Sequence, residues 1–450
     1  MMLPTTSGEH PAVTSVAGTR ARSSRYPWIV FALTFGLMLS DFMSRQVLSA
    51  VFPFLKTEWT LTDSQLASLS SVVALMVGLL ALPLSLLADR WGRVKSLTLM
   101  AVLWSVATLL CALATSYEQL LGARFLVGVG EAAYTSVGIA VVLSVFAPRL
   151  HDTLSGALFA GGSFGSVIGV AFGGAIAVHL SWRWSFAAMA IFGLILVALY
   201  RALVTERKLA IRATTDDVAA GTVAKPEGYR APLSSLFTNP AVLCAYIGGG
   251  LHLFTAGVLL SWLPSFFNRY YGFAPAKAGL TASIFVLLVG SGMVICGIIT
   301  DRVSRTDTSH KWTAAIAFCV TSLVFLTVGF RVGTGNTQMV LIGIGAFFSG
   351  GASGASGAMV ANLTHSSVRA SAMGALAVAY NLLGMALGPF VVGVLADRLG
   401  LLGALQLSPL VYLGAIAALV AGKRLYPAGV RKFDALMTGQ ASPKVLRPTS

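Results

Sequence analysis

Two acidic and two basic residues stand where a chain this apolar should tolerate none. Asp41 and Arg45 lie four apart in the first long apolar run, and Arg124 and Glu131 lie seven apart in the fourth. Both spacings return to one face of a helix, and seven residues advance about 10 Å along its axis. A charge at mid-membrane costs at least ~2.5–3.5 kcal/mol on insertion scales, so such side chains normally face a cavity or a partner. Two kinds of chemistry are open to them. A carboxyl placed between an apolar wall and a nearby Arg exchanges its proton when its surroundings change, which makes Asp41 and Glu131 candidate proton carriers. Arg45 or Arg124 can hold a carboxylate or phosphate through paired hydrogen bonds, with Ser44 and Tyr134 beside them. The competing reading is a static ion-pair network that ties the first and fourth helices together.

Other residues offer less. His252 in the seventh run can titrate, or can sit neutral and hydrogen-bonded. Trp262 and Asn381 can line the C-terminal side of a cavity, or simply pack. Asp89, Arg90 and Arg93, and again Asp301, Arg302 and Arg305, fall at helix ends. There they can gate by inter-helix ion pairs or merely anchor the ends. The four cysteines, Cys111, Cys244, Cys296 and Cys319, all fall in apolar runs without metal-ligand spacing, so free thiols are expected.

The elements that must position these residues follow from composition. Of 450 residues 56% are apolar or aromatic and 10% are charged, against about a quarter charged in soluble domains. Soluble enzymes, disordered chains and disulfide scaffolds are excluded, and a polytopic membrane protein remains. Runs long enough to cross as helices occupy 27–53, 64–88, 95–116, 119–147, 152–178, 183–205, 240–268, 277–300, 312–331, 337–364, 369–396 and 402–424. They are continuous, unlike the alternating segments of about ten residues in a membrane barrel. With the N-terminus inside, 23 of the 31 Lys and Arg fall on the cytoplasmic side, six outside, and two, Arg45 and Arg124, within spans. The bias sets both termini inside, so the net charge of +15 is a topology signal and no nucleic-acid partner is expected. The expected organisation is a disordered cytoplasmic tail at 1–26, a six-helix bundle at 27–205, a cytoplasmic linker at 206–239, a second bundle at 240–424 and a cytoplasmic tail at 425–450.

The two halves echo each other. Ala88-Asp89-Arg90-Trp91-Gly92-Arg93 follows the second span and Thr300-Asp301-Arg302-Val303-Ser304-Arg305 the eighth. Ser155-Gly156-Ala157-Leu158 leads into Gly165, Gly169 and Gly173, and Met373-Gly374-Ala375-Leu376 into Gly384, Gly388 and Gly393. Such repeats with a site near the midplane recur among transporters, and the glycines read as close helix packing. Over 27–424 the sequence resembles the major facilitator superfamily: Asp-Arg-x-Gly-Arg at 89–93 is similar to that family's signature after helix 2, although Ser85 stands where the pattern has Gly. Arg124-x-x-x-Gly128-x-Gly130-x-Ala132 resembles its helix 4 motif. Gly130-Glu131-Ala132-Ala133-Tyr134, Ser181-Trp182-Arg183-Trp184-Ser185-Phe186, Trp262-Leu263-Pro264-Ser265-Phe266-Phe267 and the stretch from Gly388-Pro389 to Asp397 are similar to Spinster-like lipid transporters. Related organic-anion symporters share much of this. Both groups carry an Asp directly before the helix 1 Arg; here that position is Ser44 and the nearest acid is Asp41.

The resemblance implies an all-α polytopic membrane protein of twelve helices in two pseudo-symmetric six-helix bundles, working as a secondary transporter by alternating access. It also implies a monomer in the plasma membrane (the inner membrane of a bacterium), driven by a proton gradient with no bound cofactor. All four intramembrane charges lie in the N-terminal half, so the cavity is expected to be polar on one side and apolar on the other. That suits an amphipathic anion such as a lysophospholipid, contacting membrane lipids on the way. The alternative is proton-coupled symport of a small carboxylic or aromatic acid. A membrane-embedded enzyme is disfavoured because no Ser-His-Asp or metal-ligand constellation is present. A primary pump is disfavoured because the chain has no GxxxxGK[ST] loop.

Overall fold

The structure, a computed structural model, describes residues 25–146, 150–205, 234–305, 307–365 and 368–437. Nearly all of the expected N-terminal tail, most of the expected linker and the end of the C-terminal tail lie outside the described residues. Every regular element among the described residues is helical. Eleven helical stretches are long and apolar enough to cross a membrane, and the last, Ser371–Asp434, has 64 residues. At 1.5 Å per residue that is about 95 Å, three times the hydrocarbon thickness of about 30 Å. Gly400 breaks it with φ 73°, a left-handed conformation open to glycine at no steric cost. The stretch is therefore long enough for two spans, which makes twelve among the described residues.

In the first half α1 (Arg25–Trp59), α2 (Asp63–Trp91) and α3 (Arg93–Leu113) are single helices. The fourth span is split into α4 (Tyr117–Glu131) and α5 (Tyr134–Leu143), and α6 (His151–His179) and α7 (Trp182–Leu203) complete the bundle. The second half begins with α8 (Pro240–Tyr271), α9 (Pro275–Val303) and α10 (His310–Gly329). The tenth span is divided into α11 (Asn336–Ser349) and α12 (Ala352–Asn362). The eleventh combines α13 (Arg369–Ala379), a π-helical segment Tyr380–Ala386 and the first part of α14 (Leu387–Leu407). The twelfth ends in α15 (Val411–Met437), which continues past 424, where the apolar run ends. Polar residues set the helix starts. The Thr62 hydroxyl accepts from the Gln65 N–H and the Gln65 side chain accepts from the Thr62 N–H, a reciprocal cap on α2. Asn239 caps α8 ahead of Pro240, whose missing N–H costs nothing in a first turn.

The repeat in sequence returns as a repeat in packing. A Cβ on Gly169 of α6 would stand 2.6 Å from the Met43 carbonyl oxygen of α1, and one on Gly165 would strike Leu39 of the same helix. In the second half a Cβ on Gly384 would stand 3.0 Å from the Gly250 oxygen of α8, and one on Gly388 would strike Phe254. Without a hydrophobic drive between helices in lipid, this backbone-to-backbone approach is what holds them. Gly169→Val is expected to push α6 off α1, at about 1–3 kcal/mol for overpacking. Thermal unfolding in detergent checks it, with Gly156→Ala as control, since nothing lies within 4 Å of a Cβ at Gly156.

Two seams join the halves. Along one, α2 meets the eleventh span: Cβ atoms on Gly393, Gly78 and Gly374 would approach Asp63 O to 2.7 Å, Leu382 Cδ2 to 2.9 Å and Leu82 Cδ2 to 2.7 Å. Along the other, α6 meets α9, where Cβ atoms on Gly279 and Gly290 would lie 3.1 Å from Val170 O and 3.0 Å from Ser163 Oγ. At the end of the bundle bearing the α1–α2 and α8–α9 turns, an ion pair also crosses between the halves. The Arg269 guanidinium of α8 donates to both Asp63 oxygens, at 2.8 and 2.6 Å.

Candidate functional site

Arg45 points from α1 toward the end of α4. Its Nε and Nη2 donate to Glu131 Oε2 at 3.0 and 2.6 Å, while the guanidinium lies 5.6 Å from the Phe42 ring centre. The Glu131 side chain is fully buried, and Arg45 keeps 18% of its side chain open. Glu131 is the last residue of α4, directly before the break at Ala132–Ala133. Asp41, one turn before Arg45, is 2% exposed. One oxygen of each, Asp41 Oδ1 and Glu131 Oε1, accepts no hydrogen bond among the described residues. Among the described residues the Arg45 guanidinium is ion-paired with Glu131, and Asp41 is buried one turn away on α1.

Arg124, the other candidate anion binder, is placed differently. It is wholly buried, with Nε donating to Leu69 O at 3.2 Å and Nη1 to Ser44 O at 3.2 Å. Its guanidinium donates to backbone carbonyls of α2 and α1, so it braces the site and forms no side-chain ion pair among the described residues. The Ser44 hydroxyl is buried without a partner among the described residues. Tyr134 donates to Thr34 O at 2.8 Å and packs edge-on to Trp104 at 4.7 Å, buried behind the pair.

The C-terminal candidates are not brought to the pair as binding groups. His252 is fully buried: its Nε2 accepts from the Ala352 N–H at 3.0 Å, and its Nδ1 faces Cys319 Sγ at 3.4 Å. It therefore pins α8 to α10 and α12. The Trp262 indole donates to Pro389 O at 3.1 Å, and its ring packs 5.5 Å from Phe52, bridging the halves. The Asn381 amide donates to Ala377 O at 2.9 Å on the seam with α2. Of the helix-end charges, the Asp89 side chain lies outside the described residues. Arg90, Arg93, Asp301, Arg302 and Arg305 are exposed and make no ion pair among the described residues. All four cysteines are free, Cys244 only half-buried.

A cavity of about 30 Å³ opens beside the pair, lined by Arg45, Gln46, Ser70, Arg124 and Ser261 among others. It draws on α1, α2, α4 and α8 and so lies between the halves. Gln46, Ser70 and Ser261 were not singled out in the sequence, although an amide directly after Arg45 inside an apolar run was a visible signal. At the closed end Lys56, Asp63, Arg269 and Asp397 were missed as well, since charges at span ends cost little and attract no notice.

Residues 34–308 match the sequence pattern of the Major Facilitator Superfamily. The chain is 25% identical over 334 residues to a probable L-galactonate transporter of Escherichia coli K12, covering 72% of this chain and 74% of that one. It is 24% identical over 394 residues to protein spinster homolog 1 of Xenopus laevis, covering 82% and 73%. A solved bacterial homologue of the human lysosomal transporter Spinster, inward-facing and unoccupied, superposes with a TM-score of 0.74 at 18% identity, over 90% of this chain and 99% of that one. That likeness shows the fold alone. With more than half its length in the family pattern and twelve spans in two halves, the chain belongs to the major facilitator superfamily, and is a secondary transporter and not an enzyme.

Proposed function

We propose that the chain moves a small organic acid together with protons, with Arg45 as the anion anchor and Asp41 and Glu131 as the proton-exchanging pair. The observation that carries this reading is the Arg45–Glu131 ion pair on the wall of a polar cavity between the halves. A substrate carboxylate must compete with Glu131 for the same guanidinium. Protonating the Asp41–Glu131 pair weakens the internal partner and frees Arg45 for the incoming anion, so proton and anion enter together. Electrostatic competition at one cation is thus enough to couple them. The packed seams on both sides of α2 and α6 support a ligand that enters from an aqueous end and not sideways from lipid, and the relative named a probable L-galactonate transporter supports an acid. A lysophospholipid is the second reading, favoured by the similarity to spinster homolog 1.

In this reading both termini are cytoplasmic, as the basic bias requires, the chain is a monomer in the plasma membrane, and the end closed by Arg269 and Asp63 faces outward. The helix-end charges at 89–93 and 301–305 then gate the cytoplasmic side. Proteoliposomes test it: labelled galactonate is expected to accumulate under an imposed pH gradient and to equilibrate when the gradient is collapsed. Accumulation indifferent to the gradient would remove protons from the mechanism. Movement of labelled lysophospholipid without galactonate would hand the substrate to the second reading.

A further inference from the structure

We infer that Gln46, Ser70 and Ser261 form a subsite that reads hydroxyl groups on the substrate next to the carboxylate anchor. The inference rests on the proposed binding of an anion at Arg45 and deepens it by naming the substrate class, a hydroxylated carboxylic acid.

Beside the anchor the protein leaves hydrogen-bonding capacity unspent. Gln46 is 6% exposed and Ser261 8%. Among the described residues neither side chain, nor that of Ser70, makes a hydrogen bond. All three line the cavity with Arg45, and none has a polar atom sealed from solvent without a partner. Polar groups inside a protein are hydrogen-bonded almost without exception, so capacity of this kind is met by water or by a ligand. These groups must therefore be served by what enters the cavity. Its volume, about 30 Å³, holds one or two waters in the present state, given the 10–15 Å³ a water requires.

The donor and acceptor types say what would replace that water. A carboxylate alone needs only donors, and Arg45 supplies them. Gln46 adds an acceptor oxygen as well as an N–H pair, and each serine hydroxyl both donates and accepts. A ring of mixed donor–acceptor groups matches ligand hydroxyls, which also do both. It penalises an alkyl chain, which would leave all three groups unpaired. Ser261 lies on α8 of the opposite half, across the cavity from Gln46 on α1 and Ser70 on α2. A hydroxylated ligand anchored at Arg45 would then bridge the two halves by its hydroxyls, as a substrate must if its presence is to be felt by both.

The test is calorimetric titration of the purified full-length protein with gluconate and with hexanoate, six-carbon monocarboxylates that differ in their hydroxyls. Wild type is expected to bind gluconate more tightly. Gln46→Leu should weaken gluconate about tenfold, the worth of roughly one net hydrogen bond, and leave hexanoate unchanged or tightened. Ser261→Ala should act in the same direction and less, and Gln46→Asn should recover part of the gluconate affinity. If the variants lower both affinities equally, or neither, the three side chains hold only water and the inference falls while anion binding at Arg45 stands. If wild type binds neither acid, the inference and the proposed function fail together.

Discussion

Glu131→Gln is expected to abolish uphill accumulation while exchange of labelled for unlabelled substrate persists. The amide cannot carry a proton, so the energy of the gradient no longer reaches Arg45. It can still accept a hydrogen bond from the guanidinium, so the site survives. Asp41→Asn separates the two carboxyls: if Asp41 is the proton's other resting place, accumulation falls and exchange remains, and if Asp41 only braces the pair, both survive. Arg45→Gln should abolish accumulation and exchange alike, because the anion loses its anchor. It should also destabilise the fold, since the Glu131 side chain is fully buried and losing one partner of a buried pair costs ~3–5 kcal/mol. Arg45→Gln combined with Glu131→Gln is then expected to regain much of the lost thermal stability and none of the transport. Uptake, counterflow and unfolding temperature measured on the same four variants and the wild type decide it. Full accumulation by Glu131→Gln would make the pair structural, the static reading that the sequence left open.

How far the sequence reached depends on what each feature rests on. The twelve spans were legible because lipid demands long apolar runs whatever the tertiary contacts. The breaks inside them were not. The divisions after Glu131 and Ser349 and the π segment at Tyr380–Ala386 fall inside runs whose length and hydropathy read as single spans, so the run alone does not mark them. The three members of the central cluster were legible from cost, since Asp41, Arg45 and Glu131 each needed a reason to be in the membrane. Partner choice was not. Arg124 shares the heptad face of Glu131, yet reaches the Ser44 and Leu69 carbonyls, which only the crossing of α1, α2 and α4 brings within range. His252 carried the same signal of a titratable group in a span and proved to be a packing pin. Residue type shows that a polar group needs a partner, but only the fold decides whether that partner is ligand or backbone.

Arg269→Gln together with Asp397→Asn is expected to open the end of the bundle that is now closed. Asp63 is 4% exposed and accepts from Lys56 of α1 at 2.5 Å as well as from Arg269 across the halves. The second link is less obvious. The Asp397 carboxylate, near the end of the eleventh span, accepts from the Asp63 N–H at 2.6 Å and the Ser64 N–H at 3.1 Å. It thereby satisfies two of the free N–H groups that begin α2 and sits at the positive end of that helix's dipole. Both cross-half links converge on one turn, so α2 is held from its side chain and from its backbone at once. At the other end no comparable ion pair joins the halves among the described residues, so the balance between closed and open at the Asp63 end should depend on these contacts. Removing both should cost about 2–3 kcal/mol, a shift of roughly 30- to 150-fold in that equilibrium. Spin labels on Thr60→Cys and Ala274→Cys, at exposed turns of opposite halves, would report it, because the native thiols lie within the spans and add little background. A new, longer distance population in the double variant is the expected result. An unchanged distribution would mean that the glycine seams alone keep this end shut. Each single variant should give a smaller shift, and Lys56→Gln almost none, since Lys56 and Asp63 belong to the same half and move together.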